Sequence, residues 1–145
     1  MKQILLVEDD PFLIDIYTTK LKESGFKLEI ADNGEEALKK IRKRNAANFE
    51  KNKKKNLWPD VLILDIVLSR INGWQVLQEI KKDKKLKDLK IIVFTNLGQK
   101  EEVEKGLRLG ATKYLIKAHY TPSELVEEIK KTLKVGSMKC EEAKK

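Results

Sequence analysis

Five short, mainly apolar runs punctuate the sequence at Ile4–Val7, Leu28–Ala31, Val61–Leu64, Ile91–Phe94 and Tyr114–Ile116. Their near-continuous character suits parallel strands covered on both faces, rather than strands with one wet face. The segments between them carry a helical period instead. Phe12–Ser24 repeats its apolar residues at Leu13, Ile16, Tyr17 and Leu21, and Glu124–Leu133 does so at Leu125, Val126, Ile129 and Leu133. Gly34–Ile41, Gly73–Lys82 and Gln99–Leu109 supply three more helices. Asp10-Pro11 reads as an N-cap followed by N1, and Thr121-Pro122-Ser123-Glu124 as a capping box with proline at N1. Strands alternating with helices in this way predict an α/β fold. The expected form is a doubly wound, five-stranded parallel sheet in the flavodoxin-like order 2-1-3-4-5, with helices on both faces.

At 145 residues the chain has the size of one domain, with 41% apolar and 37% charged residues to make a core and a soluble surface. No apolar run approaches the roughly 18 residues of a membrane span. The first residues lead directly into a strand-like run without a signal-peptide layout, and the single Cys140 cannot form an internal disulfide. A cytoplasmic location without a membrane partner is expected. The net charge of +8 is uneven: Arg42 to Lys55 alone carries +6, leaving +2 for the remainder. Asn45, Asn48, Asn52 and the lysines around them lack a helical apolar face. The segment from about 45 to 57 therefore reads as a solvated loop or frayed helix extension. The expected organisation is one domain over 1–134, with a basic insertion at about 42–57, and a short charged tail over 135–145.

In an open parallel sheet the carboxyl ends of the strands share one edge, where ligands bind. The first strand ends in Glu8-Asp9-Asp10, the third in Asp65, the fourth in Thr95 and the fifth in Lys117. The expected strand order gathers three carboxylates, a hydroxyl and an ammonium on one patch. Ionised carboxylates that close need a cation, and a hard divalent ion such as Mg²⁺ prefers carboxylate and phosphate oxygens. Lysine and threonine could then contact phosphoryl oxygens left free by the metal. Metal-assisted phosphoryl transfer to a carboxylate follows as the expected chemistry.

These residues resemble the receiver domains of bacterial response regulators. Ile4-Leu5-Leu6-Val7-Glu8-Asp9-Asp10-Pro11, Pro59-Asp60-Val61-Leu62-Ile63-Leu64-Asp65, Asn72-Gly73, Phe94-Thr95-Asn96, Leu109-Gly110-Ala111 and Tyr114-Leu115-Ile116-Lys117 fall in family order, over about Lys2 to Leu133. The resemblance implies a phosphoacceptor at Asp65. It implies Mg²⁺ held by Asp9 and Asp65, by Glu8 through water and by the backbone carbonyl of Val67. Thr95 and Lys117 would hold the phosphoryl group, and Tyr114 would be the switch aromatic that follows Thr95 inward. A sensor histidine kinase or phosphotransfer protein would supply the phosphoryl group, and a downstream protein would read the result. Such a domain assists its own phosphorylation and dephosphorylation without being an enzyme in the usual sense. Departures from the pattern are Ala118-His119-Tyr120 after the lysine, where the family usually has proline, Ser69 in the loop after Asp65, and the long basic insertion. A trans Lys117–Ala118 bond is expected, since cis costs about 2.5–4 kcal/mol without proline.

Other readings fit less well. A flavin-binding fold would place a Ser/Thr/Gly phosphate loop where Glu8-Asp9-Asp10 stands, and a haloacid-dehalogenase-type phosphatase needs an acid at Val67. Neither a P-loop nor a GxGxxG pattern is present. The alternative from another class is a nucleic-acid-binding adaptor using the basic insertion. A nucleic-acid partner is not expected, because aromatics interleave that segment only at Phe49 and no recognition-helix motif accompanies it.

Overall fold

A computed structural model of the chain describes residues 2–50 and 57–135. The elements in order are β1 (Gln3–Val7), α1 (Pro11–Glu23), β2 (Lys27–Ala31), α2 (Gly34–Glu50), β3 (Val61–Leu64), α3 (Gly73–Lys82), β4 (Ile91–Thr95), α4 (Lys100–Arg108), β5 (Lys113–Ile116) and α5 (Pro122–Val135). The strands form one parallel sheet in the order β2-β1-β3-β4-β5, as the alternation predicts. Successive side chains of a strand point to opposite faces, so each strand feeds two cores. Leu5, Val7, Leu62, Leu64, Ile91 and Val93 pack with Leu38 and Ile41 of α2 and Val76, Leu77 and Ile80 of α3. Ile4, Leu6, Ile63 and Phe94 pack on the other side with Tyr17 and Leu21 of α1 and Leu125 and Ile129 of α5. Each such aliphatic side chain contributes about 1.5–3 kcal/mol of burial.

The helix starts follow the expected caps. Asp10 accepts the Phe12 N–H at 2.9 Å with Pro11 in the first turn. Thr121 and Glu124 bond reciprocally, Thr121 N–H to Glu124 Oε1 at 2.9 Å and Glu124 N–H to Thr121 Oγ1 at 3.1 Å.

One expectation is corrected. Of the two forms expected for the segment from Asn45, its start takes the helix extension, with α2 continuing to Glu50, but it is not solvated there, since Asn45 is only 2% exposed. Its amide nitrogen donates to the carbonyls of Ile41 and Trp58, both at 2.7 Å, and its Oδ1 accepts the Trp58 N–H at 2.9 Å. A side-chain amide carries the same donor and acceptor as a peptide group. Asn45 thus pairs the backbone of Trp58 as a strand neighbour would. Trp58 is further held by its indole N–H to Gln3 Oε1 at 2.8 Å and by the Arg44 guanidinium 4.4 Å above the ring. Residues 51–56 of the basic insertion and the tail from 136 lie outside the described residues. Among the described residues the one cis peptide is Trp58–Pro59, so Lys117–Ala118 is trans. No helix among them is long and apolar enough to cross a membrane.

Candidate phosphoryl site

Register places the site. Val7 pairs with Leu64, Leu64 with Val93 and Thr95 with Ile116, so the residues that follow or close these strands emerge along one edge. There Glu8, Asp65 and Lys117 meet. The Lys117 ammonium donates to Glu8 Oε1 at 2.5 Å and to Asp65 Oδ2 at 2.7 Å, and all three side chains are under 10% exposed. The second oxygens are also engaged: Asp65 Oδ1 accepts the Val67 N–H at 3.2 Å, and Glu8 Oε2 the Asp10 N–H at 3.3 Å. Burial raises the pKa of Glu8, and the attraction of Lys117 only partly offsets that. For Lys117 the balance is reversed. Burial disfavours the ammonium, yet its bonds to Asp65 and Glu8 outweigh that and raise its pKa, so the lysine stays charged.

The local chain makes room for this cluster. A Cβ on Gly73 would lie 2.3 Å from the Asp65 carbonyl oxygen and 2.5 Å from Ile66 Cα, so only glycine lets α3 start against the end of β3. The Gly73 N–H uses that approach, donating to the Ile66 carbonyl at 2.8 Å. Between them Arg70 adopts a left-handed φ of 65°, uncommon for a residue with a Cβ, which turns the loop back toward α3. Lys117 begins a single 3₁₀ turn, Lys117–His119, which positions it without the family's proline.

The remaining expected site residues are placed as follows. Asp9 is exposed beside Glu8. Val67 is 61% exposed, with its N–H turned to Asp65. Thr95 is fully buried at the end of β4, and its hydroxyl accepts the Leu97 N–H in a long 3.4 Å bond. Tyr114 is fully buried and points inward, donating its hydroxyl to the Leu97 carbonyl at 2.6 Å. The Leu97 peptide therefore touches Thr95 through its N–H and Tyr114 through its carbonyl, a link that backbone atoms make and a sequence does not display. Tyr114 also stacks on Trp74, with ring centroids 6.5 Å apart and planes at 27°. Gly106 gives it space, since a Cβ there would come within 2.4 Å of the ring. A glycine inside α4 costs about 1 kcal/mol of helix propensity, and that cost was the available signal.

The donor set suits a hard cation by its chemistry. Glu8, Asp9 and Asp65 offer only oxygens, and with Lys117 counted they carry a formal charge of −2, which one divalent ion neutralises. In side-chain geometry, however, Lys117 occupies the space between Glu8 and Asp65. No group of three ligating side chains is gathered among the described residues.

Comparison with known proteins agrees with this architecture. The sequence pattern of the response regulator receiver domain matches residues 4–130. A probable transcriptional regulator, ycf27, of Guillardia theta is 35% identical over 133 residues, covering 92% of this chain and 46% of that protein. The phosphate regulon transcriptional regulatory protein PhoB of Escherichia coli is 27% identical over 142 residues, 97% of this chain and 56% of that protein. The chain thus spans about half the length of the curated relatives it matches. A CheY-like response regulator receiver domain protein from Methanospirillum hungatei superposes with a TM-score of 0.73 at 28% identity, covering 92% of this chain and 94% of that one. Fold, strand order and family pattern agree over nearly the whole described chain, which belongs to the response regulator receiver domains of two-component signalling.

Proposed function

We propose that Asp65 accepts a phosphoryl group from the phosphohistidine of a sensor histidine kinase or phosphotransfer protein in the cytoplasm. The observation that carries this reading is the meeting of Asp65 with Glu8 and Lys117 at the carboxyl edge of the sheet. A carboxylate oxygen of Asp65 attacks phosphorus in line as the phosphorus–nitrogen bond breaks, and the imidazole keeps the bonding pair. The Val67 N–H and the Lys117 ammonium fix the carboxylate before attack, and Lys117 and the Thr95 hydroxyl then serve the phosphoryl oxygens. Held by Asp9, Asp65 and the Val67 carbonyl, and by Glu8 through water, Mg²⁺ would neutralise charge on those oxygens. The large apolar residues most exposed among the described ones, Phe12, Ile16 and Val67, lie in the segments that follow β1 and β3. Val67, whose N–H bonds Asp65, gives the donor protein an exposed apolar contact next to the acceptor.

The signal then leaves through Leu97. Drawing the Thr95 hydroxyl toward the phosphoryl group disturbs the Leu97 peptide, and with it the bond from Tyr114, on the face of α4, β5 and α5. Incubation with a small phosphodonor, with and without Mg²⁺, followed by intact-mass measurement tests the assignment. One phosphoryl group should add to the wild type and none to Asp65→Asn, whereas equal incorporation in both would remove Asp65 from the acceptor role.

A further inference from the structure

A second basic run lies outside the phosphoryl site. Lys81 to Lys90 holds six lysines against Asp83 and Asp88, and with this run and Arg42 to Lys55 set aside the rest of the chain is net −2. The positive excess of the protein therefore sits in these two runs. Among the described residues, the α2 part of the first run lies beside the second, because α2 packs on α3: the Arg42 guanidinium reaches Glu79 at 3.1 Å, and Glu79 also holds Lys82 at 3.3 Å. A shallow groove of about 140 Å³ separates them, lined by Arg42, Asn45, Ala46, Asp83, Lys85 and Leu86.

The turn from α3 to β4 is a fixed mount. Leu86 and Leu89 are each 2% exposed and anchor it to the core. Leu86 N–H bonds to Asp83 O at 2.9 Å, and Leu89 N–H to Leu86 O at 3.0 Å. Lys81 turns inward, donating its ammonium to the carbonyls of Lys87 at 2.8 Å and Leu89 at 3.0 Å. Lys82, Lys84, Lys85 and Lys87 are left exposed beside exposed Arg42 and Lys43. Among the described residues the acids within this surface are Glu79, bridged by Arg42 and Lys82, and Asp83, whose carboxylate accepts the Lys85 N–H; Asp88 is exposed at its edge. The turn leads into the amino end of β4, so the surface lies at the opposite edge of the sheet from Asp65.

We propose that this surface binds the phosphate backbone of duplex nucleic acid without reading sequence. A protein interface draws its affinity from buried aromatic, Met or Arg anchors within an apolar centre. Among the described residues the large exposed apolar side chains are Phe12, Ile16 and Val67, and none of them belongs to this surface. Phosphate contacts need only cations on extended stems, and lysine meets phosphate as a point charge. The inference is independent of the phosphoacceptor role of Asp65.

Fluorescence anisotropy with the full chain and a labelled duplex DNA of about 20 base pairs, between about 50 and 200 mM salt, tests it. Binding should fall in the non-specific range, with Kd about 10⁻⁴–10⁻⁶ M, and weaken steeply with salt. The combined variant K82A, K84A, K85A and K87A should lose most of it, with the log–log salt slope falling by about one for each lysine that meets a phosphate. The thermal unfolding midpoint, followed by circular dichroism, serves as the folding control and should be nearly unchanged in that variant. Absence of duplex binding at low salt overturns the proposal, as does binding that the variant retains. So does binding lost only when Lys51, Lys53, Lys54 and Lys55 become alanine, which would move the contact to the insertion. Tighter binding to anionic phosphatidylserine vesicles than to the duplex would overturn it in favour of a membrane surface.

Discussion

Replacing Lys117 with methionine keeps the length of the side chain and deletes the one cation shared by Glu8 and Asp65. Those residues are 3% and 7% exposed, so the wild-type trio buries a net charge of −1 and the variant would bury −2. Removing one partner of a buried ion pair costs about 3–5 kcal/mol. Asp9 and the site's outer rim are open to water, so the lower value, about 3 kcal/mol, applies; for a chain of this length it lowers Tm by roughly 10 °C. The pH dependence carries the sharper test. Burial already holds the Glu8 pKa above its ordinary value despite Lys117, and losing the lysine removes that restraint and raises it further. A carboxyl whose folded pKa lies above its unfolded one costs stability at higher pH, and the cost fades as pH falls through the folded pKa. Urea unfolding of both proteins at about pH 7 and about pH 5 should therefore show a deficit that shrinks in acid. A deficit under about 1 kcal/mol at neutral pH, or one that grows in acid, would refute the assignment of Lys117 as counter-charge to this pair.

Three further outcomes follow from the geometry. Asn45→Ala leaves the buried Trp58 N–H and carbonyl without their side-chain partner, and should cost about 2–3 kcal/mol in denaturant unfolding. For Glu128, burial raises the pKa but the bonds from Lys113 and Lys131 more than offset it, leaving a lowered value. Its contribution is thus present above the ordinary carboxylate pKa of 4.5 and lost as pH falls through the lower folded value. The roughly 2 kcal/mol deficit of Glu128→Gln at neutral pH should accordingly close below that range in acid unfolding curves. Val67 and Leu97, apolar residues two positions past Asp65 and Thr95, cannot orient a water by hydrogen bonds; Asn at 67 with Gln at 97 should speed loss of the phosphoryl group in a Phos-tag time course while uptake stays nearly intact.

The parts of the fold that local chemistry specifies were legible in the sequence. The apolar runs mark all five strands, and the caps at Asp10 and Thr121 sit where their hydrogen-bonding atoms demand. The end of α2 was not legible, because Asn45 counts as polar in any reading of periodicity; its burial depends on the backbone of Trp58, thirteen positions away. The same limit hid the second basic run. Counted along the chain, Asp83 and Asp88 dilute it, and only the inward turn of Lys81 shows which lysines face outward. At the site, the carboxylates and the lysine could be gathered from strand order alone. The Leu97 peptide between Thr95 and Tyr114 could not, since every residue has the same backbone atoms.

The two tryptophans sit in settings that differ in kind. Trp58 is fixed by Gln3, Asn45 and Arg44 at the amino edge of the sheet. Trp74 faces the Tyr114 ring on one contact and the Lys105 ammonium, 4.5 Å from its ring centre, on another. An indole's emission depends on the charges and rings that surround it, so any displacement of Tyr114 or α4 alters the light from Trp74 and leaves that from Trp58 alone. With Trp58 replaced by phenylalanine, the protein carries its own single-site optical readout, and the kinetics of any movement of Tyr114 or α4 can be followed in stopped flow without an added dye.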